Sequence, residues 1–328
     1  MAASAVVDTK AQYFRTEGKR HCIINHNHRI AGRLFRSYGA SNPLESSRCI
    51  ITRFAWLAAA ANSYPRSSAT PARLRYWPLP NTDIPLDVEF EMVTLKDRVA
   101  IITGASGGLG RVVTRQFSER GARLALLDRS SERLKELVSD LKLTEDRYLL
   151  SASDLTNPEA VDATAKDVIA KFGRAEILLN LVGGFVGGKK VVELARDDLS
   201  NMLQQHVWTT FHLAQAFVPH MIANRWGRFL VISSPRALDP RGNNAAYAIG
   251  KAGEEVLTLS LAQELKDTGV TANVILVRSI DVEHRRDREP TPENASSTTP
   301  EEIAAAIMYL CSDEARTVSG ARIPLHGA

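Results

Sequence analysis

The chain has 328 residues, 44% hydrophobic and 24% charged, and its three cysteines (Cys22, Cys49 and Cys311) lie far apart with no C-x-x-C pair. This composition suits a globular protein of one large or two small domains. It excludes a wholly disordered chain, a collagen-like repeat, a disulfide scaffold and a zinc ribbon. The formal net charge of +4 is uneven, since residues 1–80 hold 12 Lys/Arg and 3 Asp/Glu while the remainder holds 29 and 34. The basic excess therefore sits on an N-terminal segment without clear periodicity, which argues against a folded nucleic-acid-reading face.

Residues 1–91 read as a poorly ordered extension. They carry ten Arg and eight Ser and end in the turn-rich Pro78-Leu79-Pro80-Asn81-Thr82-Asp83. An Arg-rich, Ser-rich, acid-poor segment has the composition of an organelle transit peptide. A plain tail, or an upstream stretch that the native protein lacks, fits as well, and Met92 would make a natural start. The longest apolar candidate, Phe54 to Ala61, is far too short to span a bilayer. The expected location is the cytoplasm, or an organelle if residues 1–80 are a transit peptide.

From residue 98, strands and helices alternate. Arg98–Thr103 is a short apolar run rich in β-branched residues, expected as a buried strand. A helix over Gly108–Arg120 and a strand over Arg123–Leu127 follow, then a helix over Ser130–Leu141 with Leu134, Leu137 and Leu141 on one face. Tyr148–Ala152 and Glu176–Asn180 read as strands flanking a helix at Pro158–Phe172, with proline in its first turn. A long helix is expected over Asp197–Asn224, then strand Arg228–Ser233, helix Ala245–Asp267 and strand Thr271–Val277. A last helix starts at Pro300 and a last strand lies near Arg322–Leu325. This alternation predicts one α/β domain over 92–328, a doubly wound parallel sheet of the Rossmann type.

Two constellations carry chemistry. Thr103-Gly104-Ala105-Ser106-Gly107-Gly108-Leu109-Gly110 joins the first strand of this domain to its first helix. Glycines there permit positive φ and let backbone approach a pyrophosphate at a helix N-terminus. Asp128, 18 residues past Gly110, ends the next strand. It could accept the ribose hydroxyls of an adenosine, cap the following helix, or do both. The second constellation is Tyr247 and Lys251, four apart on one helix face. An ammonium beside a phenol favours the phenolate, so the pair suits acid–base work on an alcohol or carbonyl. Ser234, 13 residues upstream of Tyr247, ends the preceding strand.

With these residues in order, the chain over about 92–328 resembles the short-chain dehydrogenase/reductase family. The glycine pattern T-G-x-x-x-G-x-G falls on Thr103 to Gly110. The family's Asp after the third strand falls on Asp154, followed by Leu155, and its N-N-A-G element is matched in part by Asn180-Leu181-Val182-Gly183. Its catalytic Ser, Tyr and Lys fall on Ser234, Tyr247 and Lys251. The resemblance implies a cofactor site over Gly104, Ser106, Gly107, Gly108, Leu109, Gly110, Asp128, Arg129, Asp154, Leu155, Asn180, Gly183, Tyr247, Lys251 and the backbone near Ile280. It also implies a homodimer or homotetramer.

Three departures stand out. His206 occupies the position where the family usually carries Asn, in the middle of the long helix; it could add a titrating group or simply pack. Val277-Arg278 replaces the Pro-Gly after the sixth strand, and Val282 replaces a downstream Thr. The polar loop Ser279–Thr299 could serve as a mobile substrate lid or be a plain surface loop. The expected activity is NAD(P)-dependent interconversion of a small-molecule secondary alcohol and ketone, a 3-oxoacyl thioester among the candidates. NAD is the expected preferred cofactor, with some tolerance of NADP; neither a metal, a nucleic acid nor a membrane is expected as partner. The alternative is a dinucleotide-binding sensor or scaffold of the same fold with weak turnover.

Overall fold

The computed structural model describes residues 94–325 except position 293, together with two short strands near the N-terminus. Those two, β1 (Gln12–Thr16) and β2 (Lys19–Ile23), form an antiparallel hairpin. The expectation for residues 1–91 did not include these strands. The rest of the expected extension, including the proposed start at Met92, lies outside the described residues.

The α/β domain is built on seven parallel strands: β3 (Val99–Thr103), β4 (Arg123–Asp128), β5 (Tyr148–Ala152), β6 (Ile177–Asn180), β7 (Gly227–Ser233), β8 (Val270–Val277) and β9 (Arg322–Leu325). Their order across the sheet is β5-β4-β3-β6-β7-β8-β9. β3, β6 and β8 are buried at every position, because helices cover both faces of the sheet. Between β3 and β6 the winding reverses direction. At that switch point the loops leaving the strand C-termini diverge and open a crevice.

Helices α1 (Gly108–Glu119), α2 (Ser131–Asp140) and α3 (Pro158–Phe172) serve the first half of the sheet. α3 shows how sequence sets its ends: the Asn157 side chain accepts from the Glu159 and Ala160 amides, Pro158 opens the first turn, and Gly173 closes it at φ 76°. α2 is capped by Ser130, whose hydroxyl accepts from the Arg133 amide. The capping role weighed for Asp128 thus falls two residues later.

The long helix expected over Asp197–Asn224 is interrupted. α4 (Arg196–Met202) passes through a π-helical turn, Leu203–Trp208, into α5 (Thr209–Ala223). A π turn inserts a residue and often marks a functional site; His206 lies within it. α6 (Ala245–Glu264) carries the Tyr/Lys pair, and α8 (Pro300–Cys311), after the short α7 (Arg285–Arg288), completes the domain. Among the described residues, no helix is long and apolar enough to cross a membrane.

Candidate active site

The glycine loop leaves β3 with Gly104 at φ 63°. A Cβ at Gly110 would collide with the Gly104 and Ala105 carbonyls, so α1 can approach the loop only with glycine there. Ser106 is buried, and its amide and hydroxyl donate to one oxygen of Asp128 at 3.1 and 2.6 Å. The Arg129 amide donates to the other at 2.7 Å. Burial works to raise the Asp128 carboxyl, but the Ser106 hydroxyl and the two amides outweigh it and hold it below its ordinary value. Asp128 is therefore a carboxylate at neutral pH, at the open end of β4 beside the loop.

The other expected cofactor residues fall into two groups. Gly107 and Gly108 open α1, and Leu109 turns into the core. Asp154 accepts from the Thr156 amide and hydroxyl at 3.1 and 2.8 Å, so it shapes its own turn while remaining exposed; Leu155 is buried beside it. Arg129 is exposed. Asn180 is completely buried: its amide donates to the Thr210 hydroxyl at 2.9 Å and its carbonyl oxygen accepts from the Thr103 hydroxyl at 2.8 Å. Its side chain ties β3 and β6 to α5 and leaves only backbone for a ligand. Ile280 pairs with Thr298 across an isolated bridge. Two positions beyond Ile280, Val282 lies where a Cβ on Gly108 would meet its methyl groups at 2.6 and 2.9 Å. These residues fit a dinucleotide: small residues at a helix N-terminus, with an ionised carboxylate at the neighbouring strand end.

Ser234 follows β7 and starts a short turn, its oxygen accepting from the Arg236 amide at 3.3 Å. Tyr247 lies one turn into α6. Its ring meets Phe185 edge-on at 5.1 Å between centroids and His206 at 5.8 Å. Lys251, one turn further and only 5% exposed, donates to the Ile232 carbonyl at 2.6 Å and to the Glu254 carboxyl at 2.7 Å. Ser234 and Tyr247 line one cleft of roughly 540 Å³ that also exposes Arg236, Arg241 and Arg278. Lys251 stands behind it.

Glu254 is wholly buried, with the Thr210 hydroxyl at 3.2 Å and the Asn180 amide at 3.4 Å from its second oxygen. Burial raises its carboxyl, opposed by the Lys251 ammonium. His206 is likewise wholly buried. Its Nε2 lies 3.0 Å from the Gly184 carbonyl, which can only accept, so Nε2 carries the proton. Its Nδ1 has no hydrogen-bond partner and stands 4.0 Å from Glu254. Burial, reinforced by the Lys251 charge, pushes the imidazole down to about 3, so it is neutral and packed rather than a titrating group near pH 7. The ring fits because Gly183 and Gly250 face it: a Cβ at either would come within 3.0 and 2.9 Å of ring atoms. The His206 carbonyl accepts from the Thr210 hydroxyl at 2.7 Å.

The loop considered as a mobile lid is tethered. Asp281 accepts from the Arg285 and Arg286 amides at 2.8 Å each, and Arg286 grips Glu302 through two bonds of 3.0 and 2.8 Å. Sequence reasoning passed over Glu254 and Glu255, though adjacent carboxylates inside an otherwise apolar helix, the first at i+3 from Lys251, were the signal. Glu255 is buried too, accepting from Ser233 and from Arg322 at 2.6 Å each.

The family model for short chain dehydrogenase matches residues 98–293. The chain is 30% identical over 237 residues to the (2S)-[(R)-hydroxy(phenyl)methyl]succinyl-CoA dehydrogenase subunit BbsD of Thauera aromatica, covering 69% of this chain and 94% of that protein. Its fold is similar to that of a short chain dehydrogenase from Bacillus anthracis, with a TM-score of 0.65 at 28% identity, over 71% of this chain and 97% of that one. It is also similar to L-sorbose reductase from Gluconobacter frateurii, solved with NADPH and L-sorbose, with a TM-score of 0.64 at 27% identity, over 72% and 98%. With the glycine loop at the switch point of a doubly wound sheet, these likenesses make the chain a member of the short-chain dehydrogenase/reductase family, an NAD(P)-dependent oxidoreductase.

Proposed function

We propose that the protein interconverts a secondary alcohol and a ketone, with Ser234, Tyr247 and Lys251 as its catalytic set. The observation that supports this most is that the Ser234 and Tyr247 side chains open into one cleft while Lys251 stands buried behind Tyr247, on the same helix face. Tyr247 gives its phenolic proton to the carbonyl oxygen in reduction and takes it back in oxidation. Ser234 donates to the same oxygen as negative charge grows on it. Lys251, fixed by Ile232 and Glu254, places positive charge where it favours the phenolate. Phe185 and His206 hold the phenol ring from two sides, which reduces the positional freedom the step must remove. A bound nicotinamide supplies or accepts the hydride, chemistry that belongs to the cofactor.

The glycine loop and Asp128 would hold the dinucleotide, and NAD(H) is the preferred form in this reading. The Asp128 carboxylate accepts hydrogen bonds from a free 2′-hydroxyl and repels a 2′-phosphate. Gly107 offers no basic side chain in the loop, and the exposed Arg129 is the counterweight that leaves room for NADP(H). The substrate would be a small alcohol or ketone. The printed name of the Thauera relative, a dehydrogenase of a hydroxyl-bearing acyl-CoA, makes acyl thioesters the first compounds to try. The test is a screen of ketones and alcohols with all four cofactor forms, run beside Tyr247→Phe. Turnover by the wild type and none by the variant supports the reading. Dinucleotide binding without turnover of any compound favours the sensor or scaffold reading.

A further inference from the structure

We infer that the substrate carries an anionic group, held by an arginine rim around the reacting hydroxyls. This deepens the proposed function and rests on it. Three arginines, Arg236, Arg241 and Arg278, line the cleft that holds Ser234 and Tyr247, against one carboxylate, Asp239. Arg241 lies 3.3 Å and Arg236 3.6 Å from the same Asp239 oxygen, so one negative charge is divided between two guanidiniums. Arg278 follows β8 directly and meets the Ser296 hydroxyl. Among the described residues it has no carboxylate within ion-pairing distance. Among the described residues that line the cleft, three guanidiniums thus face one carboxylate.

A neutral ligand would have to displace water from these guanidiniums and return nothing ionic, which disfavours it. A carboxylate or phosphate recovers that cost, because a guanidinium presents paired donors that match two oxygens of an anion. The cleft walls supply Phe185 and Pro235 for an apolar portion beside the charge. The glycine loop and Asp128 are not among the residues that line the cleft, so the rim lies apart from the adenosine end of the dinucleotide site, and cofactor-saturated protein is the form to test. The anion could be a carboxylate on the substrate skeleton or the phosphates of a thioester carrier.

Three compounds of one 3-hydroxyacyl skeleton separate these sources: the free acid, its methyl ester and its coenzyme A thioester. Binding to the full chain saturated with NAD⁺ is read by calorimetry, so the answer does not depend on turnover. At low salt, at least one charged form binds roughly 10-fold or more tightly than the ester, and the advantage shrinks as ionic strength rises. Acid preference assigns the carboxylate and thioester preference the carrier phosphates. Arg278→Gln loses most of the advantage without changing ester affinity, and Arg278→Lys restores part of it. The inference is overturned if the ester binds as well as both charged forms, if no charged form binds, or if the advantage survives in Arg278→Gln and Arg241→Gln combined. Tight, rim-dependent binding of an anion that wild type never turns over would instead sink the proposed function.

Discussion

The two sides of the switch point are made of different materials. On the β3–β4 side, the site is backbone: a glycine loop with no room for a Cβ at Gly108 or Gly110, and a carboxylate held by a buried serine. On the β6–β7–α6 side, it is side-chain charge set in the interior: Lys251 on Glu254, with neutral His206 against both and Glu255 paired to Arg322 one residue further. Backbone geometry is indifferent to pH and to most neighbouring substitutions. Buried charge depends on every partner, because an ionised group left alone in the interior is strongly destabilising. Under the proposed function, the glycine-loop half should therefore answer to mutation through specificity, and the α6 half through pH and stability.

The largest effect tests the α6 half at the Tyr247 hydroxyl. Tyr247→Phe removes one hydroxyl and opens no cavity, so kcat should fall by about 10²–10⁴-fold while the melting temperature and dinucleotide affinity hold. Glu254 comes next. Glu254→Ala strands Lys251 in the interior and should cost about 3–5 kcal/mol in chemical denaturation. Glu254→Gln keeps the shape and removes the carboxylate that offsets the ammonium, so the kcat/KM profile should move toward acid by about one pH unit. An unmoved profile with normal stability would show that the Glu254 carboxylate has no hold over the charge at Tyr247.

Asp128→Ala sharpens the other half. It removes the repulsion of a 2′-phosphate, together with the acceptor for the Ser106 amide and hydroxyl, so the ratio of kcat/KM for NAD(H) over NADP(H) should fall by roughly 10-fold, with little change in pH profile. A wild-type preference for NADPH would contradict the cofactor argument at its root. The last effect concerns His206 and is read in stability alone. Its ring stays neutral in the fold, pushed from 6.5 down to about 3. As pH falls below about 6.5, the unfolded chain takes up a proton that the folded chain refuses, so stability falls toward pH 3 at up to about 1.4 kcal/mol per unit. His206→Asn should flatten that share of the acid slope, read as melting temperature between pH 7 and pH 4.5.

The placement of the glycine loop and of Asp128 was legible in the chain because its determinants are local: a glycine pattern between strand and helix, and an Asp at a strand end. The alternation of elements gave the sheet for the same reason. What escaped was set by the tertiary fold. The π turn at Leu203–Trp208 has no signature in a sequence that reads as continuous helix. Asn180 looked like a ligand contact, yet its side chain is consumed inside by Thr103 and Thr210. Glu254 and Glu255 stood out only as carboxylates in an apolar helix, and the packing of α6 on β7 and β8 shows both to be interior. Gly183 and Gly250 gain their meaning only once His206 lies between them.

One measurement bears directly on the central claim that Tyr247 and Lys251 support hydride transfer to a carbonyl carbon in this cleft. The full chain is incubated with a ketone substrate and NADH deuterated at the transferring position of the nicotinamide, and the alcohol is analysed by mass spectrometry. The account predicts one cofactor-derived deuterium on the carbinol carbon for wild type, and none above background for Tyr247→Phe at equal cofactor occupancy. Label appearing at the wild-type rate in Tyr247→Phe, or alcohol formed by wild type without the label, would contradict it.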